Sequence, residues 1–167
     1  MAMQNKPTKG LARITGDVPT KAAVLDEDEV VLWRGFLAWS EEVVGKVSQA
    51  LADWADTSVA DYEILKRVHD TEGSIGQNEL LRSLGWTASR LSHQLRRMED
   101  RGMVRRRELG RGRHMIVRLT PKGRSAIVRA DIVHAGAVRA ALLKGLDPNL
   151  AEALRRAYRA ASLAHDH

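Results

Sequence analysis

The chain has no cysteine, which excludes a disulfide framework, a thiol redox sensor, a thiolate nucleophile and any zinc site built on sulfur ligands. Aromatic residues are scarce: four Trp, two Tyr and one Phe in 167 residues. That is a poor supply for the stacking platforms that grip single-stranded nucleic acid. No apolar run approaches the roughly 18 to 20 residues of a membrane span, and the N-terminus lacks the charged start, apolar stretch and small-residue cleavage site of a secretory signal. A soluble, cytoplasmic protein with no membrane partner is therefore expected. The 44% hydrophobic content is sufficient for the core of one ordinary domain.

What is abundant is positive charge, and it is concentrated. The net charge is +6, yet the segment from Arg82 to Arg124 holds thirteen Lys and Arg against three acids. The other residues hold fourteen basic and eighteen acidic side chains, so the middle is +10 and the remainder −4. A basic segment between acidic flanks is the electrostatic footprint expected for a polyanion, nucleic acid first among them.

Residues 1–25, with Pro7, Gly10, Gly16 and Pro19 and no apolar period, read as an N-terminal arm. Acids at Asp26 to Glu29 then open a long amphipathic helix over 26–55, with Val30, Trp33, Leu37, Val44, Val47, Leu51 and Trp54 at spacings of three, four and seven. Phe36, Trp39 and Val43 widen its apolar stripe beyond what one partner surface covers, which suggests a dimerisation helix. Ser58 to Asp61 has the form of a capping box before a second helix ending near Thr71. A short helix from Gly76 or Gln77 to Leu84 is closed by Gly85, and another opens at once near Trp86 or Thr87, burying Ala88, Leu91, Leu95 and Met98. Gly102 stops that helix. Two strands follow, from Met103 to Leu109 and from His114 to Leu119, joined by the basic Gly110-Arg111-Gly112-Arg113 tip. Thr120-Pro121 starts a helix running through Leu142, and Asp147-Pro148 starts the last one.

Two helices about a tight turn followed by a basic hairpin make a winged helix-turn-helix, placed at 56–120 in a mainly α (α+β) chain, with 121–167 supplying C-terminal dimerisation helices. The predicted DNA-facing residues are Thr87, Ser89, Arg90, Ser92, His93, Arg96 and Arg97 on the second helix, and Arg107, Arg111 and Arg113 on the wing. Double-stranded DNA is the expected partner, because Arg can bridge guanine O6 and N7 while Ser, Thr and His reach other base edges.

Several runs carry a resemblance to a known family: Gln77-Asn78-Glu79-Leu80, Leu84-Gly85, Ser89-Arg90-Leu91, Arg97-Met98-Glu99-Asp100-Arg101-Gly102-Met103-Val104-Arg105-Arg106 and Leu119-Thr120-Pro121-Lys122-Gly123-Arg124. From about Thr57 to Gly123 the chain resembles the winged-helix core of the MarR family of bacterial transcription regulators. The resemblance implies a homodimer formed by helices from both termini, on a pseudo-palindromic operator, more often repressing than activating. It implies that Ser89, Arg90, Ser92, His93 and Arg96 face bases or phosphates and that Arg113 is the wing arginine. The chain departs from the family where an Asp usually stands two residues before that arginine, since Arg111 occupies the place; Arg111 is then an alternative for insertion. Gly76 departs where a capping Thr or Ser is common.

Members of the family commonly answer to small aromatic acids or phenols, so the resemblance also implies such an effector. Trp33, Phe36, Trp39, Tyr62 and His69 are the candidate ligand residues, with Arg34 or His134 as carboxylate partners. For each of them the reading as an ordinary packing or exposed residue is the stronger one. No cofactor is implied and no metal cluster has suitable spacing. No nucleophile with a base, convergent carboxylate pair or phosphate loop is visible, so the chain does not read as an enzyme. The competing reading is a winged helix used as an architectural or protein-interaction module without an effector; its outer helix face would be apolar or acidic.

Overall fold

A computed structural model describes residues 24–109 and 114–165. The described residues fall into two compact units, one ending at Ala38 and the other beginning at Trp39. In the first, the Asp26 carboxylate accepts the Glu29 N–H at 2.8 Å while the Asp26 N–H donates to Glu29 Oε2 at 2.9 Å. This reciprocal cap starts α1 (Glu27–Ala55), whose acidic first turn suits the positive end of the helix dipole.

The second unit holds the C-terminal part of α1, then α2 (Val59–Asp70), β1 (Ser74–Gly76), α3 (Gln77–Leu84), α4 (Ala88–Asp100), β2 (Val104–Leu109), β3 (His114–Leu119), α5 (Pro121–Val138), a π turn over Arg139–Leu143, and α6 (Pro148–His165). The strands form one antiparallel sheet in the order β1-β3-β2. Its register pairs Val104 with Leu119 and Arg106 with Val117 across β2 and β3, and Ile75 with Val117 across β1 and β3. The main core joins Ile64, Leu65 and Val68 of α2, Leu80 of α3, Leu91, Leu95 and Met98 of α4, Val104 and Val117 of the sheet, and Ile127 of α5. A smaller one joins Val47, Leu51 and Ala55 of α1 to Ala130 of α5. Truncating any one of the large fully buried side chains to Ala costs about 2 to 5 kcal/mol.

The element ends follow from local chemistry. Gly85, at φ 64°, turns the chain sharply between α3 and α4. Gly102, at φ 69°, ends α4: its N–H donates to the Glu99 carbonyl (2.8 Å) and that of Met103 to the Met98 carbonyl (2.8 Å), the paired bonds of a Schellman motif. The Thr120 hydroxyl accepts the Gly123 N–H (3.0 Å) to cap α5 and donates to the Gly102 carbonyl (2.6 Å), so one side chain locks the start of α5 to the end of α4.

Three details differ from the sequence expectation. β1 was not foreseen; it forms because β3 offers an edge after Glu72 and Gly73 turn the chain with positive φ. The hairpin's first strand begins at Val104 rather than Met103, whose N–H is used by the helix cap. The helix after Thr120 is α-helical to Val138, not Leu142, and the next five residues form the π turn. α3 starts at Gly76 without a side-chain cap, as the missing Thr or Ser requires.

Candidate nucleic-acid interface

α4 separates its chemistry by face. Leu91, Gln94, Leu95 and Met98 are buried, whereas Ala88, expected in the buried stripe, lies in the first turn and is exposed, as are Ser89, Arg90, His93, Arg96 and Arg97, and Ser92 is half-buried. Residues three and four apart share a side of a helix, so Ser89, Ser92, His93 and Arg96 fall in one polar row. Thr87 is committed first to structure, its hydroxyl accepting the Arg90 N–H at 3.3 Å as the N-cap. The Arg90 guanidinium carbon lies 4.0 Å from the centre of the Trp86 ring.

A buried polar network holds the helix in place. Asp61 of α2 is 1% exposed; its carboxylate accepts from Ser58 N and Oγ (3.1 and 2.8 Å), Gln94 Nε2 (2.6 Å) and Arg101 Nη1 (2.7 Å). Burial alone would raise the Asp61 pKa, but the Ser58 hydrogen bonds and the Arg101 charge together outweigh it and hold the group below its ordinary value. Arg97 Nη2 donates to Gln94 Oε1, so that arginine, assigned to DNA from the sequence, is engaged with the network in this state. Neither Asp61 nor Gln94 was singled out from the sequence for this role. The available signal was Gln94 itself, a polar residue set between Leu91 and Leu95 in a buried stripe.

The basic segment is not all free charge. Among the described residues of that segment, Arg101 and Arg106 pair with carboxylates, Arg106 reaching Glu99 through Nε (2.8 Å), Nη2 (2.5 Å) and its backbone N–H (2.9 Å). These contacts fasten β2 to the end of α4. Arg105, Arg107 and Arg118 remain exposed on the outer side of the wing, with Arg105 directly opposite Arg118. Like charges in that position repel and favour an anionic partner. The wing tip, with Arg111 and Arg113, lies outside the described residues.

The candidate ligand residues have separate surroundings. Trp33 and Phe36 stack at 6.2 Å on α1 and, with Leu25, Glu29 and Leu32, line a shallow apolar groove of about 470 Å³. Trp39 is half-buried, and His69 is exposed in the last turn of α2. Tyr62 stacks on His134 of α5 (4.4 Å between ring centres) and donates its hydroxyl to Asp131 at 2.9 Å. Burial, followed by Asp131, pushes the Tyr62 pKa far above its ordinary value, so the hydroxyl stays a donor. Among the described residues no group of three or more His, Asp or Glu could hold a metal ion, and no helix is long and apolar enough to cross a membrane.

Comparison with solved structures decides the fold family. AbsC, a MarR family transcriptional regulator from Streptomyces coelicolor, is 25% identical with a TM-score of 0.78, covering 86% of this chain and 98% of that one. The chain has the MarR fold. Sco3205, a MarR family regulator of the same organism solved in complex with DNA, gives the same identity and TM-score over 86% of this chain and 91% of its own. BpsR of Bordetella bronchiseptica, whose DNA binding is regulated by 6-hydroxynicotinic acid, shares the MarR fold at 16% identity and a TM-score of 0.68, covering 79% of this chain and 98% of that one. Residues 57–119, the winged-helix part, match the model of a domain of unknown function, DUF7343. No curated protein matches the sequence.

Proposed function

We propose that the protein is a sequence-specific, DNA-binding transcriptional regulator that works as a homodimer and represses until a small aromatic ligand releases it. The observation that carries the reading is the exposed face of α4, where Ser89, Arg90, His93 and Arg96 stand over a fully packed Leu91, Leu95 and Met98. A rigid backing is what a helix needs to present side chains to a major groove, with phosphate contacts seating it and base edges read from its first turns. The exposed Arg105, Arg107 and Arg118 of the wing add phosphate-binding charge.

Homodimerisation is supported by apolar surface on the terminal helices. Val31, Leu32, Trp33, Phe36 and Val44 of α1, Ile132 of α5, and Leu150 and Tyr158 of α6 are all exposed, more than a lone soluble chain ordinarily leaves in water. Two recognition helices about 34 Å apart would then meet successive major grooves of a pseudo-palindrome. The aromatic effector is supported by the stacked Trp33 and Phe36 and, separately, by Tyr62 with His134 beside it. It would act by binding one dimer state better than the other.

Fluorescence anisotropy against a duplex from upstream of the gene and a scrambled one, at two salt concentrations, tests the reading. Binding the upstream duplex tighter by about a thousandfold, with steep salt dependence, is the expected result. Equal binding to both, or to neither at low salt, would move the architectural or protein-interaction reading ahead. Sedimentation should give twice the 18.6 kDa chain mass; a monomer at working concentration refutes the two-fold model.

A further inference from the structure

Trp86 stands between the left-handed Gly85 and the N-cap Thr87, at the entrance to α4. Its ring is partly buried and packs against the main core, so the indole is fixed to the body of the domain. Arg90, one turn into the helix, lays its guanidinium over that ring at 4.0 Å. Its backbone N–H is taken by the Thr87 hydroxyl, and its side chain makes no hydrogen bond or ion pair with another described residue. The guanidinium carbon is thus seated over the ring while its N–H donors make no hydrogen bond among the described residues. Among the exposed arginines of α4, this pose is distinct from that of Arg97, whose Nη2 is given to Gln94.

We propose that Trp86 is a specificity-determining positioning residue: by holding the Arg90 guanidinium over the indole ring, it commits the first turn of α4 to a guanine. The inference rests on the reading of α4 as the base-reading helix. A guanidinium presents two parallel donors in one plane, the arrangement that matches guanine O6 and N7. A phosphate accepts charge from many directions and gains little from such a clamp. The clamp also confines a long side chain before DNA arrives, so less conformational freedom is lost on binding. The interaction strengthens as the groove excludes water from it.

The test selects duplexes from a random pool with wild-type protein, R90A, W86L, W86F and the double variant, then measures each on the selected and on a scrambled duplex. The wild type should enrich a guanine in each half-site that R90A no longer prefers. W86L should lose preference at the same base pair and weaken the selected duplex by about tenfold, with scrambled DNA unchanged. W86F, which keeps a ring, should retain most of the affinity. In the R90A background W86L should cost nothing further on selected DNA. Equal cost with and without Arg90, no cost, or a lost preference at some other base pair overturns the proposal. An R90A variant that selects the same sequence as wild type, or a wild type that enriches nothing, instead refutes the base-reading role of α4, and this inference falls with it. Thermal melting checks that W86L folds. Should it not, W86F carries the test: an intermediate loss confined to the Arg90 base pair supports the clamp, and a loss spread over all positions overturns it.

Discussion

Replacing Asp61 by Ala should destabilise the protein by about 3 to 4 kcal/mol, because three different contributions end on that one carboxylate. The capping box with Ser58 accounts for about 1 kcal/mol. Gln94 is 4% exposed and would be left with a buried amide lacking its acceptor, a cost of about 1 to 3 kcal/mol. The ion pair with Arg101 contributes less than its 2.7 Å length suggests, because the arginine side chain is 38% exposed; about 1 kcal/mol is its upper share after solvent screening. Asp61→Asn keeps the shape and one acceptor and should lose about half as much. Urea melts at fixed protein concentration measure both, and the Asp61→Ala midpoint temperature should fall by roughly 6 to 14 °C for a chain of this size. The group also gives an acid limb. Its folded pKa lies below the ordinary 3.8, so as the pH falls the unfolded chain takes up the proton first. The stabilisation is complete above about pH 5 and is lost as the pH drops through 3.8 towards the folded value. Asp61→Asn should flatten that limb. A loss below 1 kcal/mol for Asp61→Ala, or an unchanged acid limb in Asp61→Asn, would refute the claim that this network holds α4 to α2.

Glu99→Gln should act in two directions at once. It removes the charge of the carboxylate whose Oε2 accepts both Nε and Nη2 of Arg106 at a cost of about 1 kcal/mol in chemical denaturation, and it frees a positive charge beside the wing, so binding to scrambled duplex should tighten at low salt; weaker non-specific binding would show that Glu99 has another role. His134 titrates below its ordinary 6.5, chiefly because it is buried and secondarily because of the Lys66 charge, against which Asp131 pulls upward. The unfolded chain therefore gains a proton first as the pH falls from about 7, and stability should drop through 6.5 and level off below the folded value. His134→Phe keeps the stack on Tyr62 and should remove that component of the pH dependence between pH 7 and 5; an unchanged profile would contradict the assignment.

What the sequence makes legible here is what acts locally. Leu91, Leu95 and Met98 announce the buried side of α4 by spacing alone, Gly85 and Gly102 mark its two boundaries, and Thr120-Pro121 marks the start of α5, because each of these signals is complete within a few residues. β1 is not legible: three residues without alternation acquire their hydrogen bonds only from β3, some forty positions later. The same holds for the site. The polar row of α4 follows from helical periodicity, but Asp61 meets Gln94 and Arg101 across 33 and 40 positions, and no local pattern encodes that meeting. The +10 segment likewise overstates the available charge, because Arg101 and Arg106 spend theirs on carboxylates within the domain. Trp86 and Arg90 lie at a spacing that suggests contact on a helix, yet Trp86 precedes the N-cap, and only the turn after Gly85 brings its ring beneath the guanidinium.

Adjacent positions on α2 face different neighbours, since successive helical residues are rotated by about 100°. Asp61 grips α4 through Gln94, while Tyr62 and Lys66 grip α5 through Asp131 at 2.9 and 3.3 Å. One helix therefore couples α4 to the helix that leads to the C-terminal segment, and the two grips differ in burial. The Lys66–Asp131 pair is partly exposed on both sides and is worth at most about 1 kcal/mol; the Tyr62 hydrogen bond adds about as much. On the Asp61 side two donors, Gln94 and Arg101, reach across from α2 to α4 and its C-cap, and parting them leaves the buried Gln94 amide unsatisfied, whereas the groups around Asp131 can turn to water. Of the two polar grips, the one at Asp131 is therefore the one that water replaces at lower cost. On the proposed reading, a ligand that shifts the spacing of two α4 helices would act at least cost on the polar contact between α2 and α5 made by Tyr62, Lys66, Asp131 and His134.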